Sequence, residues 1–171
     1  MKRTMRIYLV RHSEAVNRVP PMPDEARTLS ARGRVSFRDM ARRFREAGGN
    51  PSRILTSPLL RAVQTAEILS EAIRYEGEVL ADPRLSPGFD IAKLGAVLDE
   101  FPAETGIAIV GHEPDLGDIL TRLLSLPQGV AMRKGAIAAL DLPIVGDPPH
   151  ATLVWLLAGD RRIEDPAMLI Q

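Results

Sequence analysis

The hydrophobic positions of the chain fall into short β-prone runs that alternate with longer amphipathic stretches. Strand-like apolar runs occur at six places: Ile7 to Val10, Ile54 to Thr56, Glu78 to Ala81, Ile107 to Val110, Ile137 to Leu142 and Leu153 to Ala158. Helical patterns lie between them at four places: Ser30 to Ala47, Leu59 to Ile73, Ile91 to Glu100 and Leu116 to Leu124. This alternation indicates an α/β domain.

The order of these elements predicts a three-layer α/β/α sandwich with a mostly parallel six-stranded sheet. The last two strands, joined by the Pro-rich stretch Pro143 to His150, are expected to form a pair at one edge. No repeat, low-complexity tract or linker interrupts the 171 residues, so we expect a single domain over 1–171. In such sheets, reactive groups collect on the loops beyond the carboxyl ends of the strands.

The amino-acid composition excludes several kinds of partner and several kinds of site. Lys plus Arg equals Asp plus Glu at 22 each, so no global charge draws the protein to nucleic acid or to an anionic membrane. The absence of cysteine excludes disulfides, thiolate metal sites and a Cys nucleophile. His12, His112 and His150 lack close metal-ligand spacing, and His150 is interpreted as a loop residue. No signal or membrane segment is visible in the sequence, so we expect a cytoplasmic protein. Because the sequence shows no set of metal ligands, we also expect that the protein needs no metal or other cofactor.

Three of the predicted strand ends carry candidate functional groups. Arg11 and His12 directly follow the first strand. A Ser-Pro pair opens the helix after the second strand, and proline suits the first helical position, so Arg61 lies within the first turn. His112 follows the fourth run and precedes Asp115, which can cap the next helix. Two arginines and two histidines on one edge of a sheet outline a site for a dianion.

The same segments resemble the histidine phosphatase (phosphoglycerate mutase-like) superfamily. Residues 9 to 15, "LVRHSEA", are similar to its L-x-R-H-G-E segment, residues 57 to 66 to S-P-x-x-R-x-x-Q-T-A, and residues 110 to 114 to V-G-H-E-P. Residues 24 to 34, "DEARTLSARGR", resemble the D-x-x-R-x-L-T-x-x-G-R stretch of the small phosphohistidine phosphatase (SixA-type) branch. The resemblance implies a phosphoglycerate mutase-like fold and a phosphatase activity.

By position, the resemblance implies that His12 is the nucleophile and that Arg11, Arg61 and His112 bind the phosphoryl oxygens. Phosphoryl transfer requires mainly positioning and fixed positive charge, which two guanidinium groups would supply and to which a protonated His112 could add. His12 must attack as a neutral imidazole. Adjacent guanidinium groups disfavour its charged form, and a backbone carbonyl that accepts from the other ring nitrogen would fix the tautomer.

In the small branch, the positions of Asp24 and Arg27 also belong to the site. Ser13 stands where the superfamily commonly has glycine, and its hydroxyl is expected either to cap a turn or to touch the substrate. We therefore group Asp24, Arg27 and Ser13 as phosphate-binding or supporting residues.

The segment after the third strand bears on the substrate. Many members of the superfamily carry a Leu-x-Glu there, whose Glu protonates the leaving oxygen, whereas this chain has Leu85-Ser86-Pro87. A general acid contributes about 10² to 10⁴ in rate, so its loss penalises alkyl esters. A phosphorylated imidazole can instead leave after protonation by solvent. Asp82 or Asp90 could substitute as the acid, and Asp90 could equally cap the following helix.

The interval from Arg61 to His112 is short, 51 residues, and leaves little room for a capping insertion, so an open site is expected. The leading hypothesis is a phosphohistidine phosphatase whose partner is a phosphorylated protein, a phosphotransfer or phosphocarrier protein that bears phosphohistidine. Two alternatives stay open. One is a phosphomonoesterase that acts on a small phosphorylated molecule, and the other is a non-catalytic phosphate-binding regulatory module.

Overall fold

The computed structural model describes residues 3–143 and 150–171, and within them seven strands form one sheet. The strands are β1 (Thr4–Arg11), β2 (Arg53–Thr56), β3 (Val79–Ala81), β4 (Gly106–Gly111), β5 (Ile137–Pro143), β6 (Thr152–Ala158) and β7 (Arg161–Ile163). The helices are α1 (Ala31–Glu46), α2 (Leu60–Ala72), α3 (Ile91–Asp99) and α4 (Asp115–Leu123). Short 3-10 turns span Asp24–Ala26, Pro83–Leu85 and Pro166–Ile170.

The sheet has the order β3-β2-β4-β1-β5-β6-β7. Its first four members pair in parallel, and β5, β6 and β7 are added antiparallel, each to its neighbour. The carboxyl ends of β2, β4 and β1 therefore lie side by side. The loops that leave these three strands meet at one edge of the sheet.

Both faces of the sheet are covered, which confirms the three-layer arrangement. Along β1, Ile7 and Leu9 join the core under α3 and α4, whereas Tyr8 and Val10 join the core under α1 and α2. This alternation follows from the period of two along a strand. Strands that are buried on both faces appear in the sequence as continuous apolar runs. The positions of these strands could therefore be predicted closely from the sequence.

The predicted count of six strands is wrong, because β7 adds a seventh. Its three residues include Arg161 and Arg162, and short, charged strands are typical of sheet edges, where they carry no hydrophobic signal. The predicted pairing of the last two apolar strands, β5 and β6, is confirmed, but β7 rather than this pair forms the edge. The predicted Pro-rich connection lies, over residues 144–149, outside the described residues.

Candidate active site

The edge formed by β1, β4 and β2 carries the residues singled out in the sequence. His12 follows β1 and His112 follows β4, and the centroids of their rings are 5.2 Å apart. Arg61 lies in the first turn of α2, and its Nε is 3.3 Å from Nε2 of His12. All three side chains are buried. The structure thus brings together groups that are separated by up to a hundred residues in sequence.

The imidazole of His12 is held in one tautomer. Its Nδ1 lies 2.7 Å from the carbonyl oxygen of Ser13, which can only accept, so Nδ1 carries the proton. Nε2 consequently has a lone pair, toward which Arg61 directs its Nε–H. This is the arrangement that a nucleophilic nitrogen requires, and the backbone carbonyl expected from the sequence is that of Ser13.

Burial lowers the pKa of His12 to about 4, and the nearby positive charges of Arg61, Arg11 and Arg27 act in the same direction. The hydrogen bond to the Ser13 carbonyl opposes this effect but is weaker than burial. His12 is therefore neutral at pH 7. The sequence-based expectation about the neighbouring guanidinium groups is correct in sign, although burial is the larger cause.

Arg61 and Arg27 share the carboxylate of Asp24. Nη2 of Arg61 donates to Oδ2 of Asp24 at 3.0 Å, and Nη1 donates to the Asp24 carbonyl at 2.9 Å. Nε of Arg27 forms an ion pair with Oδ1 of the same carboxylate at 2.9 Å. Burial alone would raise the pKa of Asp24, but the two arginines outweigh it and lower the pKa. A single ionised carboxylate therefore fixes both guanidinium groups at the rim of the site.

Arg11 is fixed from the opposite side. Its Nη1 donates to the carbonyl oxygen of Met132 at 2.8 Å, and its Nε is buried without a partner in the described part of the chain. Glu113 is the nearby acidic group that stabilises its charge. A guanidinium group with an unpartnered buried N–H has donor capacity left for an anion.

His112 is oriented by Ser57, the fully buried residue that precedes α2. Nε2 of His112 is 2.7 Å from Oγ of Ser57, which also accepts from the backbone N–H of Leu59. Burial lowers the pKa of His112 to about 3, and the positive charges around it reinforce the effect. The ring of His112 is therefore neutral in the absence of an anion, and protonation of His112 beside a phosphoryl group stays a prediction. Its Nδ1 is buried and finds no partner among the described residues.

Ser13 supports His12 through its backbone carbonyl, whereas its side chain contacts helix α1 and not the imidazole ring. Its hydroxyl donates to the carbonyl oxygen of Gly33 in α1 at 2.8 Å, and its N–H donates to Oγ1 of Thr65 at 3.2 Å. Gly33 is required here because a Cβ at that position would lie 2.1 Å from the Glu14 carbonyl oxygen. This contact with helix α1 is a third role, beside the two that the sequence suggested for the hydroxyl.

The two candidate acids after β3 are engaged locally. Asp82 caps the turn at Pro83–Leu85 and pairs with Arg84 at 2.6 Å, and this pairing lowers the pKa of the Asp82 carboxyl. Asp90 caps α3 by accepting from the N–H of Lys93 at 2.9 Å, as the capping alternative predicted. A carboxylate held ionised by an arginine is a poor proton donor at neutral pH.

Glu113 is a site residue that our sequence reasoning missed. Oε1 of its half-buried carboxylate accepts from the N–H of Gly117 at 2.7 Å, and the backbone of Met132 is a second hydrogen-bond partner. Burial raises the pKa of Glu113, and these hydrogen bonds and Arg11 oppose the rise. Glu113 thus holds the same peptide segment whose carbonyl oxygen holds Arg11. Its place within "VGHEP" was the available signal.

Within the described residues, no group of three or more His, Asp or Glu side chains is arranged to hold a metal ion. Oγ of Ser125 lies 3.1 Å from Nε2 of the exposed His150, so His150 has a contact outside the cluster. None of the helices in residues 3–143 and 150–171 combines the length and the apolar character needed to span a bilayer.

Comparisons with known proteins agree with this fold and identify the family. The family model of the histidine phosphatase superfamily (branch 1) matches residues 7–86. An uncharacterized protein of a Picosynechococcus strain is 37% identical over 120 residues, which cover 67% of this chain and 70% of that protein. The chain belongs to the histidine phosphatase superfamily and is a phosphatase.

The branch follows from two further similarities. Phosphohistidine phosphatase SixA of Escherichia coli is 26% identical over 156 residues, which cover 90% of this chain and 94% of SixA. The solved structure of protein histidine phosphatase SixA with tungstate superposes with a TM-score of 0.81 at 24% identity, covering 91% of this chain and 97% of that one. Within the superfamily, the chain is a member of the SixA-type branch.

Proposed function

We propose that this phosphatase hydrolyses phosphohistidine on a protein and that it does so through a covalent phosphohistidine on His12. The observation that carries the proposal is the segment after β3. Pro87 stands where related enzymes place a general acid, and Asp82 and Asp90 are both engaged in local hydrogen bonds. A substrate whose leaving group needs no acid from the enzyme fits this site best.

In the first step, the lone pair on Nε2 of His12 attacks phosphorus and the bond between phosphorus and the substrate imidazole nitrogen breaks. The leaving nitrogen keeps the electron pair, and its ring, protonated by solvent, departs as neutral imidazole. Arg11 and Arg61 bind the phosphoryl oxygens as charge spreads over them. Asp24 keeps Arg61 and Arg27 in place.

In the second step, water attacks phosphorus and the bond to Nε2 of His12 breaks, which releases inorganic phosphate and a proton. Because Nδ1 of His12 keeps its proton, the phosphorylated ring is cationic and leaves as neutral imidazole without a further acid, while the arginines neutralise the charge on the phosphoryl oxygens. The hydrogen bond from Nδ1 to the Ser13 carbonyl keeps the ring in line throughout both steps.

A protein substrate is supported by the elements between Arg61 and His112. This interval holds the rest of α2, then β3, a 3-10 turn, α3 and β4, and no inserted cap is present within it. An uncovered site can receive a histidine carried on a protein surface. The similarity to a relative named phosphohistidine phosphatase SixA supports the same substrate class. A phosphotransfer or phosphocarrier protein in the cytoplasm remains the predicted partner.

The test is a comparison of kcat/KM for a phosphohistidine protein, phosphoramidate, an aryl phosphate and an alkyl phosphate, each with and without exhaustive chelation. We expect the P–N substrates and the activated aryl ester to exceed the alkyl ester by about 10² to 10⁴, the contribution of a general acid. Chelation should change nothing, because arginine side chains supply the positive charge.

The alternatives give different outcomes. Comparable rates for alkyl ester and phosphohistidine, with the alkyl activity lost in Asp82→Asn or Asp90→Asn, would make the protein a small-molecule phosphomonoesterase. No turnover of any substrate, together with phosphate binding, would make it a regulatory module. Trapped phosphoenzyme should be acid-labile and alkali-stable and should be absent in His12→Ala.

A further inference from the structure

The exposed face of α1 carries an unusual concentration of arginine. The helix contains six arginines against Asp39 and Glu46, a net charge of +4, although the whole chain balances at 22 basic and 22 acidic residues. Five of these arginines are exposed, and four of the five lie at helical spacing along one side. We call them the arginine stripe: Arg34, Arg38, Arg42 and Arg45.

The stability of the helix does not explain this stripe. Arg34 and Arg38, and then Arg38 and Arg42, are four residues apart, where like charges destabilise a helix. The first turn has no acidic residue to complement the positive end of the helix dipole. In the described part of the chain, Arg42 pairs with Asp39 at 3.2 Å, whereas Arg34 and Arg38 have neither an ion pair nor a side-chain hydrogen bond. The positive charge therefore faces solvent largely uncompensated.

The stripe begins beside the candidate active site. Ser30, the N-cap of α1, donates its hydroxyl to Glu14 at 2.9 Å, and Ser13 donates to the carbonyl oxygen of Gly33. Arg34 is the next residue along the helix. From Arg34 to Arg45 the helix rises about 16 Å at 1.5 Å per residue. A molecule no larger than a metabolite cannot contact both the phosphoryl site and the far end of the stripe.

We propose that the arginine stripe is a docking surface for an acidic face of the phosphorylated protein substrate, next to its phosphohistidine. This inference rests on the proposed function. Arg11, Arg27 and Arg61 serve the phosphoryl group, so the stripe is left to interact with the protein that carries it. Complementary charge outside the reacting centre accelerates encounter and fixes orientation, and its effect weakens as salt is added.

The experiment compares two variants that each lose three positive charges. The stripe variant combines Arg34→Gln, Arg38→Gln and Arg42→Gln. The matched control changes three exposed arginines elsewhere on the surface: Arg74→Gln, Arg122→Gln and Arg162→Gln. Both are assayed at low and high salt on phosphoramidate and on a histidine-phosphorylated phosphotransfer domain with an acidic surface. Circular dichroism confirms that each variant is folded.

At low salt we expect the stripe variant to lose at least about ten-fold in kcat/KM on the phosphorylated domain, mainly through KM, because steering acts on encounter. Its turnover of phosphoramidate should equal that of the wild type. The control variant should match the wild type on both substrates. High salt should shrink the difference between wild type and stripe variant.

Several outcomes would overturn the inference. Equal losses in both variants would show an effect of net charge alone, and a loss on phosphoramidate would show that the stripe acts on the catalytic site. Full activity of the stripe variant on the phosphorylated domain, with weakened binding to duplex DNA or to phosphatidylserine vesicles, would assign the stripe to another polyanion. A wild type that cleaves phosphoramidate but not the phosphorylated domain would overturn the proposed function together with the inference.

Discussion

In the proposed mechanism the protonation state of His12 determines whether the ring can attack phosphorus, and it can be measured directly. Burial, with help from Arg61 and Arg11, lowers the pKa of His12 from 6.5 to about 4. Each pKa unit corresponds to about 1.4 kcal/mol, so the site disfavours the protonated ring by about 3 kcal/mol relative to a histidine in water. At pH 5.5, where an ordinary histidine is mostly charged, His12 should still be neutral.

Imidazole nitrogen NMR across pH 3.5 to 8 tests this expectation. The chain has three histidines, so spectra of His12→Gln and His112→Gln assign the signals. We expect His12 to titrate near pH 4 and, at pH 7, to be protonated on Nδ1 alone, as its contact with the Ser13 carbonyl requires. A His12 signal that titrates near pH 6.5, or that shows the proton on Nε2, would refute this reasoning.

The same shift makes stability depend on pH. Below about pH 6.5 the unfolded chain binds a proton at His12, whereas the folded protein does so only near pH 4. The free energy of unfolding should therefore be unaffected by His12 above pH 6.5, fall by up to about 3 kcal/mol between 6.5 and 4, and fall no further below. Urea unfolding at pH 7 and 4.5 should show a smaller drop in His12→Gln than in the wild type. Equal drops would contradict the burial argument.

Three substitutions test the supporting contacts. Glu113→Gln should lower kcat/KM at least about ten-fold without unfolding the protein, because the variant loses a charged acceptor that orders the segment holding Arg11. Unchanged kinetics would show that Glu113 does not support Arg11. Ser13→Ala should cost about 1 kcal/mol in the free energy of unfolding with KM unchanged, since its hydroxyl contacts Gly33; a raised KM with unchanged stability would place the hydroxyl in the site. Arg61→Lys should cost at least about 2 kcal/mol of transition-state stabilisation, measured from kcat/KM, because lysine keeps the charge but lacks the forked guanidinium donors. Wild-type rates would mean that these forked donors are not used.

The sheet and helices could be predicted closely because their residues are buried in regular patterns. Ile7 to Val10 and Ile107 to Val110 are continuous apolar runs because both faces of the sheet are covered. β7 could not be predicted, since Arg161 and Arg162 give no hydrophobic pattern and the pairing with β6 depends on tertiary structure.

The site was predictable where side chains follow strand ends and unpredictable where the backbone takes part. His12, Arg61 and His112 each occupy a position that the strand-end rule selects. The carbonyl oxygen of Met132, which holds Arg11, belongs to a loop with no periodicity, and any residue type could supply it. Motif spacing also does not report burial, which is the largest influence on the pKa of His112 and keeps its ring neutral in the absence of an anion.

The charges of the site explain how His112 can be neutral in the absence of an anion and still bind phosphate. Arg11, Arg27 and Arg61 face the carboxylates of Asp24 and Glu113, so with both carboxylates ionised and both histidines neutral the cluster has a net charge of about +1. A phosphoryl dianion would reverse that sign and would raise the pKa of a ring beside it. His112 has a buried Nδ1 without a partner in the described residues, and its other nitrogen is already held by Ser57. Proton uptake at His112 would thus accompany anion binding and add one more charged donor to the arginines only when the phosphoryl group is in place.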